Sequence, residues 1–226
     1  MLEQVNQFYE CDNSECRLRF PGSEGYPKWN RCPACRSTTH LVATAPASHE
    51  IDARMRHGNR TRVEVILDNI RSAWNVGSIF RTADGIGITR LYLCGLTPTP
   101  TNSKVSKTAL GAEKSLPWEK FNNGVLLARE LKSKEYQLWA LEGLPNAQLL
   151  FQDQLEIPLT TIVLVVGNEI SGVDPGIIEM CDKVIAIPML GTKQSYNVAV
   201  AFGIAASFLV YRQSFSQGSR NILPST

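Results

Sequence analysis

The stretch TTIVLVVGNE (160–169) constrains the fold of this chain more than any other segment. It is apolar at nearly every position and lacks the alternation of a strand with one wet face. It therefore reads as a strand buried on both sides, of the kind found in parallel sheets covered by helices. VEVILDNI (63–70), RLYLCGL (90–96), YQLWALEG (136–143) and KVIAIPM (183–189) read as further strands. Helical patterns alternate with them. NVGSIFRTADGIG (75–87) spaces Val76, Ile79, Phe80 and Ala83 at helical intervals and ends in Gly85 and Gly87. FNNGVLLARELKSK (121–134), PGIIEMCD (175–182) and YNVAVAFGIAASFLVYR (196–212) complete the set, while the Thr/Pro/Asn/Ser-rich segment 97–108 reads as a loop. Alternation of this kind predicts an α/β domain over 63–212, a parallel sheet covered by helices. The tail, 213–226, is expected to be flexible.

The cysteines mark a second unit. Four of six lie in the first 35 residues, as Cys11, Cys16, Cys32 and Cys35, whereas Cys94 and Cys181 are isolated. The order C-x4-C, fifteen residues, C-x2-C suits a structural zinc site, in which two thiolate pairs on tight turns meet around one ion. The insert carries the turn formers Pro21, Gly22, Gly25 and Pro27. Residues 1–45 are thus expected to form a small zinc-ribbon-like module whose folding free energy comes from Zn2+. Incidental free cysteines are the alternative. A redox CxxC fits less well, because no strand–helix pattern surrounds Cys32 and Cys35.

Between the two lies a basic linker, 46–62, with Arg54, Arg56, Arg60 and Arg62. It is either a solvated connection or a phosphate-binding strip. The whole-chain net charge is only +2, so any nucleic-acid binding must come from such local patches. Hydrophobic residues make up 43% and charged residues 19%, which excludes disordered and coiled-coil chains. The N-terminal MLEQVNQFYE has no basic stretch ahead of an apolar run, and no apolar segment has the length of a membrane span. A cytoplasmic protein without membrane contact is expected.

No GxGxxG follows the first strand, so the usual dinucleotide fingerprint is missing. Instead, SAWNVGSIFR (72–81), GNEISG (167–172) and GTKQSYN (191–197) place polar residues and glycines at strand ends, where open α/β sheets bind ligands.

These clusters carry a family resemblance. N-x-G-x-x-x-R is present as Asn75, Gly77 and Arg81. G-N-E-x-x-G is present as Gly167, Asn168, Glu169 and Gly172. I-P-M-x-G followed by S-x-N is present as Ile187, Pro188, Met189, Gly191, Ser195 and Asn197. With TALGAEKSLPW (108–118) between the first two, residues 60–212 resemble the SpoU (TrmH-like) branch of the SPOUT RNA methyltransferases. Tyr196 departs from the Leu many members carry, and the front module is not the family's common extension.

The resemblance implies a SPOUT fold with a C-terminal trefoil knot and a homodimer in which Val200, Phe202 and Ile204 are partly interface. It implies transfer of a methyl group from S-adenosylmethionine to a ribose 2′-hydroxyl in structured RNA, tRNA or rRNA. Arg81 is then the main catalytic residue, with Asn75, Glu169, Ser195 and Asn197. A guanidinium stays charged and is a poor base, so Arg81 is expected to grip a phosphate beside the reacting ribose. The cofactor site is expected at Leu141, Glu142, Gly143, Gly167, Asn168, Gly172, Ile187, Met189, Tyr196, Asn197 and Val198. RNA contacts are expected at Arg54, Arg56, Arg60 and Arg62, at Lys104, Lys107, Lys114 and Lys120, and at basic and aromatic residues of the front module. A non-catalytic RNA-binding assembly factor is the alternative; the completeness of the motifs speaks against it.

Overall fold

A computed structural model describes residues 6–23, 27–45, 61–152, 155–158 and 160–218. The chain divides into two compact units, Met1–His57 and Gly58–Thr226.

The first unit is a three-stranded antiparallel sheet, β1 (Asn6–Cys11), β2 (Arg19–Ser23) and β3 (Thr39–Thr44), in the order β2-β1-β3. Its apolar content is small. Phe20 is buried, stacks with Tyr9 at 6.1 Å and meets the Trp29 ring at 5.8 Å. Phe20 and Trp29 therefore serve as the module's core, and the Trp29 ring lies where a Cβ on Gly22 would stand, within 2.9 Å. So small an apolar core is below what usually sustains a fold of this size by burial alone.

The second unit is a seven-stranded, wholly parallel sheet. Its strands are β4 (Val63–Asp68), β5 (Arg90–Cys94), β6 (Trp118–Phe121), β7 (Gln137–Leu141), β8 (Gln148–Leu149), β9 (Ile162–Val166) and β10 (Lys183–Ala186). The order is β6-β5-β4-β9-β7-β10-β8. Its helices are α1 (Ala73–Ile86), α2 (Ser103–Ala109), α3 (Ala112–Ser115), α4 (Gly124–Ser133), α5 (Pro175–Ile178) and α6 (Val198–Gly218).

The period-two geometry of strands splits the core in two. Val63, Val65 and Leu67 of β4, Leu91 and Leu93 of β5, and Ile162, Leu164 and Val166 of β9 face one side. There Val76, Ile79, Phe80 and Ala83 of α1 and Phe202, Ala205, Ala206 and Leu209 of α6 cover them. The intervening Ile66, Tyr92, Cys94, Val163 and Val165 face Leu127, Ala128 and Leu131 of α4 and Ile177 of α5. Every residue of β4 and β9 is buried, as the apolar run 160–169 requires. Glu64 is admitted because Tyr92 donates to its Oε2 at 2.7 Å and Arg62 to its Oε1 at 3.0 Å.

The structure departs from the sequence reading in places. Segment 97–108 is a loop only as far as Asn102, whose side chain caps α2 by accepting from the Lys104 N–H at 3.0 Å. Strands β6 and β8 were not expected; both are short edge strands. Phe202 is fully buried in the core of its own chain, whereas Val200 is 50% exposed. Helix α6 runs past Arg212 to Gly218, the first glycine after Gly203. No helix among the described residues is long and apolar enough to cross a membrane.

Candidate active site and thiolate cluster

Parallel strands aim all their carboxyl ends at one edge of the sheet, and the loops leaving that edge form a cleft of about 420 Å³. Each neighbouring strand contributes. Leu141, Glu142 and Gly143 follow β7; Gly167, Asn168, Glu169, Ile170 and Gly172 follow β9; Ile187 and Met189 follow β10. Ser195, Tyr196, Asn197 and Val198 close the cleft ahead of α6. All eleven residues expected to bind the cofactor line it.

The β9 loop is built around close backbone approaches. A Cβ on Gly167 would stand 2.2 Å from the Gly172 carbonyl carbon and from the Val173 nitrogen, so no other residue fits there. Asn168 and Gly172 pair as an antiparallel bridge. Asn168 Oδ1 accepts from the Ile170 and Ser171 N–H groups at 2.9 and 3.1 Å, and its Nδ2 donates to the Asn69 carbonyl at 2.7 Å. Glu142 turns inward: its Oε2 accepts from the Val173 N–H at 3.0 Å and its Oε1 from the Gly143 N–H at 3.2 Å.

A hydrogen-bonded chain joins the three motifs. Asn197 Nδ2 donates to Asn75 Oδ1 at 3.1 Å, and Asn75 Nδ2 donates to Glu169 Oε1 at 3.0 Å. Glu169 also accepts from the N–H groups of Arg71 (2.9 Å) and Ser72 (3.1 Å), which precede α1. Partial burial would raise the Glu169 pKa, but these donors outweigh it and hold the carboxyl below its ordinary value. Both Glu169 oxygens are thus committed to the protein.

Arg81 lies on the exposed face of α1, outside the residues lining the cleft, and makes no side-chain hydrogen bond or ion pair among the described residues. The spacing inside the first motif has a packing reason. At Gly77 a Cβ would meet Thr108 Oγ1 at 1.9 Å and the Val105 carbonyl oxygen at 2.5 Å, so α2 rests directly on the α1 backbone. Asn75 and Asn197 also border a groove between α1 and α6 lined by Ser78, Thr82, Val200 and Gly203.

Of the expected RNA contacts, Lys104 and Lys107 on α2 and Lys114 on α3 are exposed. Arg62 is paired with Glu64. Lys120 donates to the carbonyls of Gly95 and Thr97 and serves the β5–β6 end of the sheet. Arg54, Arg56 and Arg60 lie outside the described residues.

In the first unit, the Sγ atoms of Cys11, Cys16, Cys32 and Cys35 lie within 4.8 Å of one another. Cys11 and Cys35 approach to 3.4 Å, Cys16 and Cys32 to 3.8 Å. Four thiolates about 2.3 Å from a tetrahedral Zn2+ are about 3.8 Å apart, so this donor set fits that ion. Each cysteine pair ends in a residue of positive φ, Arg17 (46°) and Arg36 (67°), so the two turns repeat one conformation.

Helices on both faces of a parallel sheet, with a cleft at its carboxyl edge, define an α/β ligand-binding domain. Residues 62–207 match the SpoU rRNA Methylase family, and the chain belongs to that family. It is 38% identical over 142 residues to a tRNA (guanosine(18)-2′-O)-methyltransferase of Aquifex aeolicus, covering 62% of this chain and 64% of that protein. The crystal structure of an A. aeolicus TrmH/SpoU tRNA modifying enzyme superposes with a TM-score of 0.60 at 32% identity, covering 74% of this chain and 85% of that one. An AdoMet-bound rRNA methyltransferase from Sinorhizobium meliloti gives 0.62 at 25% identity, over 74% of this chain and 62% of that one. The chain spans 60–64% of the length of the first two curated relatives it matches.

Proposed function

We propose that this chain transfers a methyl group from S-adenosylmethionine to a ribose 2′-hydroxyl in structured RNA of the tRNA or rRNA class. The observation that carries the reading is the Asn197–Asn75–Glu169 chain, which gathers all three motifs at the cleft, while Arg81 stands exposed on α1 with no side-chain hydrogen bond or ion pair among the described residues. The named relatives and the AdoMet-bound neighbour support it.

When bound, S-adenosylmethionine supplies an electrophilic methyl group. Ile187, Met189 and Val198 wall the apolar part of the cleft, and the loops at Gly143 and Gly167 offer backbone donors and acceptors there. Arg81 grips the phosphate next to the target ribose and orients its 2′-hydroxyl for in-line attack. Asn75 and Ser195 border the ribose. Glu169 acts by fixing the start of α1, and so the direction in which Arg81 is presented. Lys104, Lys107 and Lys114 hold RNA phosphates.

A homodimer through the methyltransferase domain, the trefoil knot and a cytoplasmic location complete the proposal. The exposed Val200 and the α1–α6 groove support the dimer. The loops enclosing the cleft, 167–172 and 187–197, are the segments a C-terminal knot would entwine. Zn2+ held by Cys11, Cys16, Cys32 and Cys35 would stabilise the first unit.

Purified protein should move a radiolabelled methyl group from S-adenosylmethionine to a 2′-oxygen of RNA. Arg81→Ala should lose at least about a hundredfold in rate, the scale of one lost electrostatic contact in an active site, while calorimetry shows unchanged S-adenosylmethionine affinity. Full activity in that variant would remove Arg81 from the mechanism. Mapping 2′-O-methyl sites in cells with and without the gene identifies the RNA; no lost site would favour the assembly-factor alternative.

A further inference from the structure

Three large apolar side chains stand exposed where the loops meet at the start of α1: Trp74 (52%), Leu96 (77%) and Ile170 (78%). Their loops are tied through one residue. Asn69 Oδ1 accepts from the Leu96 N–H at 3.0 Å, and the Asn69 carbonyl accepts from Asn168 Nδ2 at 2.7 Å. Glu169, the neighbour of Ile170, holds the backbone of Arg71 and Ser72 and the side chain of Asn75. Trp74 is therefore carried on a tightly fixed first turn, between the capping residue Ser72 and the bonded Asn75.

Two exposed guanidiniums flank it along the chain, and the Glu169 carboxylate is bound to the backbone of Arg71 and Ser72 and to the Asn75 side chain beside it. Arg71 precedes it by three residues, and Arg81 follows by seven. Both are exposed, with no side-chain hydrogen bond or ion pair among the described residues. Seven residues are close to two helical turns, so Trp74 and Arg81 share one stripe of α1 about 10 Å apart along its axis. That separation spans a phosphate and the base of a neighbouring nucleotide. An exposed indole with an exposed guanidinium on either side of it along the chain has the make-up of a platform for single-stranded nucleic acid: stacking on a base, flanked by charges for the phosphates.

We infer that Trp74 stacks on an unpaired base next to the nucleotide whose phosphate Arg81 grips, so that the chain takes its target ribose from a loop or single strand rather than from a continuous duplex. This rests on the RNA reading proposed above. Stacking is available only to a base released from its own helix, so Trp74 would discriminate between RNA conformations, while Arg81 would not.

The test uses the full chain and a fluorescein-labelled adenine-rich 12-mer oligoribonucleotide, alone or annealed to its complement. Anisotropy should show Trp74→Ala weakening single-strand binding about tenfold or more, with Trp74→Phe retaining most of it. Duplex binding should change less than twofold. Arg81→Ala should weaken both forms. Circular dichroism and S-adenosylmethionine affinity should match the parent chain, which separates lost stacking from lost folding. Unchanged single-strand binding in Trp74→Ala, or equal loss for both forms, would overturn the inference and leave the methyltransferase reading standing. A Trp74→Ala chain that turns from dimer to monomer in sedimentation would also overturn it, since a second copy would then cover the indole. If the parent chain binds neither RNA, the stacking inference fails, while the proposed function stands or falls on methyl transfer to structured RNA.

Discussion

Single residues here do work that their identity alone does not announce. Glu169 receives three donors and anchors the residues that lead into α1. Its carboxyl is held below its ordinary value, so its contribution to stability is fully present above the usual glutamate range and is lost as pH falls through its folded value. Glu169→Gln places an amide donor against an N–H donor and should lower stability by about 1 kcal/mol at neutral pH, the usual net scale of a lost hydrogen bond. The gap between the thermal melts of the two proteins should narrow as pH falls through the folded value of Glu169, which lies below the ordinary carboxylate range. A gap that stays constant as the pH is lowered until both proteins unfold would contradict this role. The motif G-N-E-x-x-G identified the residue, but its three partners lie 94–98 positions away in the chain, and nothing local to 167–172 reveals them.

Among the elements, α1 was legible from its periodicity: Val76, Ile79, Phe80 and Ala83 are all buried as their spacing requires. Its partner α2 was not. The segment 97–108 is rich in residues that favour turns, and only the Asn102 cap and the burial of Val105 and Ala109 on α1 make a helix of it. The contact between the two helices passes through Gly77. Gly77→Ala gains about 1 kcal/mol of helix propensity, but its methyl would fall 2.5 Å from the Val105 carbonyl oxygen, which cannot move without α2. The clash should win, with a net loss of about 1–3 kcal/mol seen as a lower urea midpoint. A stabilised variant would mean that α2 is free to shift. Strand β9 stands at the other extreme: residues apolar on both faces have no alternative but the centre of a parallel sheet.

At the scale of the whole molecule, two units draw on different sources of stability. Residues 58–226 have two hydrophobic layers around a seven-stranded sheet, while residues 1–57 have one small aromatic cluster and four converging thiols. A chelator should therefore melt the first unit, seen as loss of near-ultraviolet dichroism from the Tyr9–Phe20–Trp29 cluster, and leave S-adenosylmethionine affinity within about twofold. Metal analysis should find one zinc per chain in the parent protein and none in Cys32→Ser. Retention of the full dichroism after chelation would count against a metal-dependent fold. The run 160–169 was enough to set the class of the larger unit, because residues apolar on both faces can be satisfied only between two layers of helices. The sequence also determined the cysteine set, because thiolate pairs at ribbon spacing need no distant partner to be recognised. Tertiary structure alone decided which polar residues meet. The bonds from Asn197 to Asn75 and from Asn75 to Glu169 join segments 122 and 94 residues apart, and only the order in which the strands assemble brings those segments to one edge of the sheet.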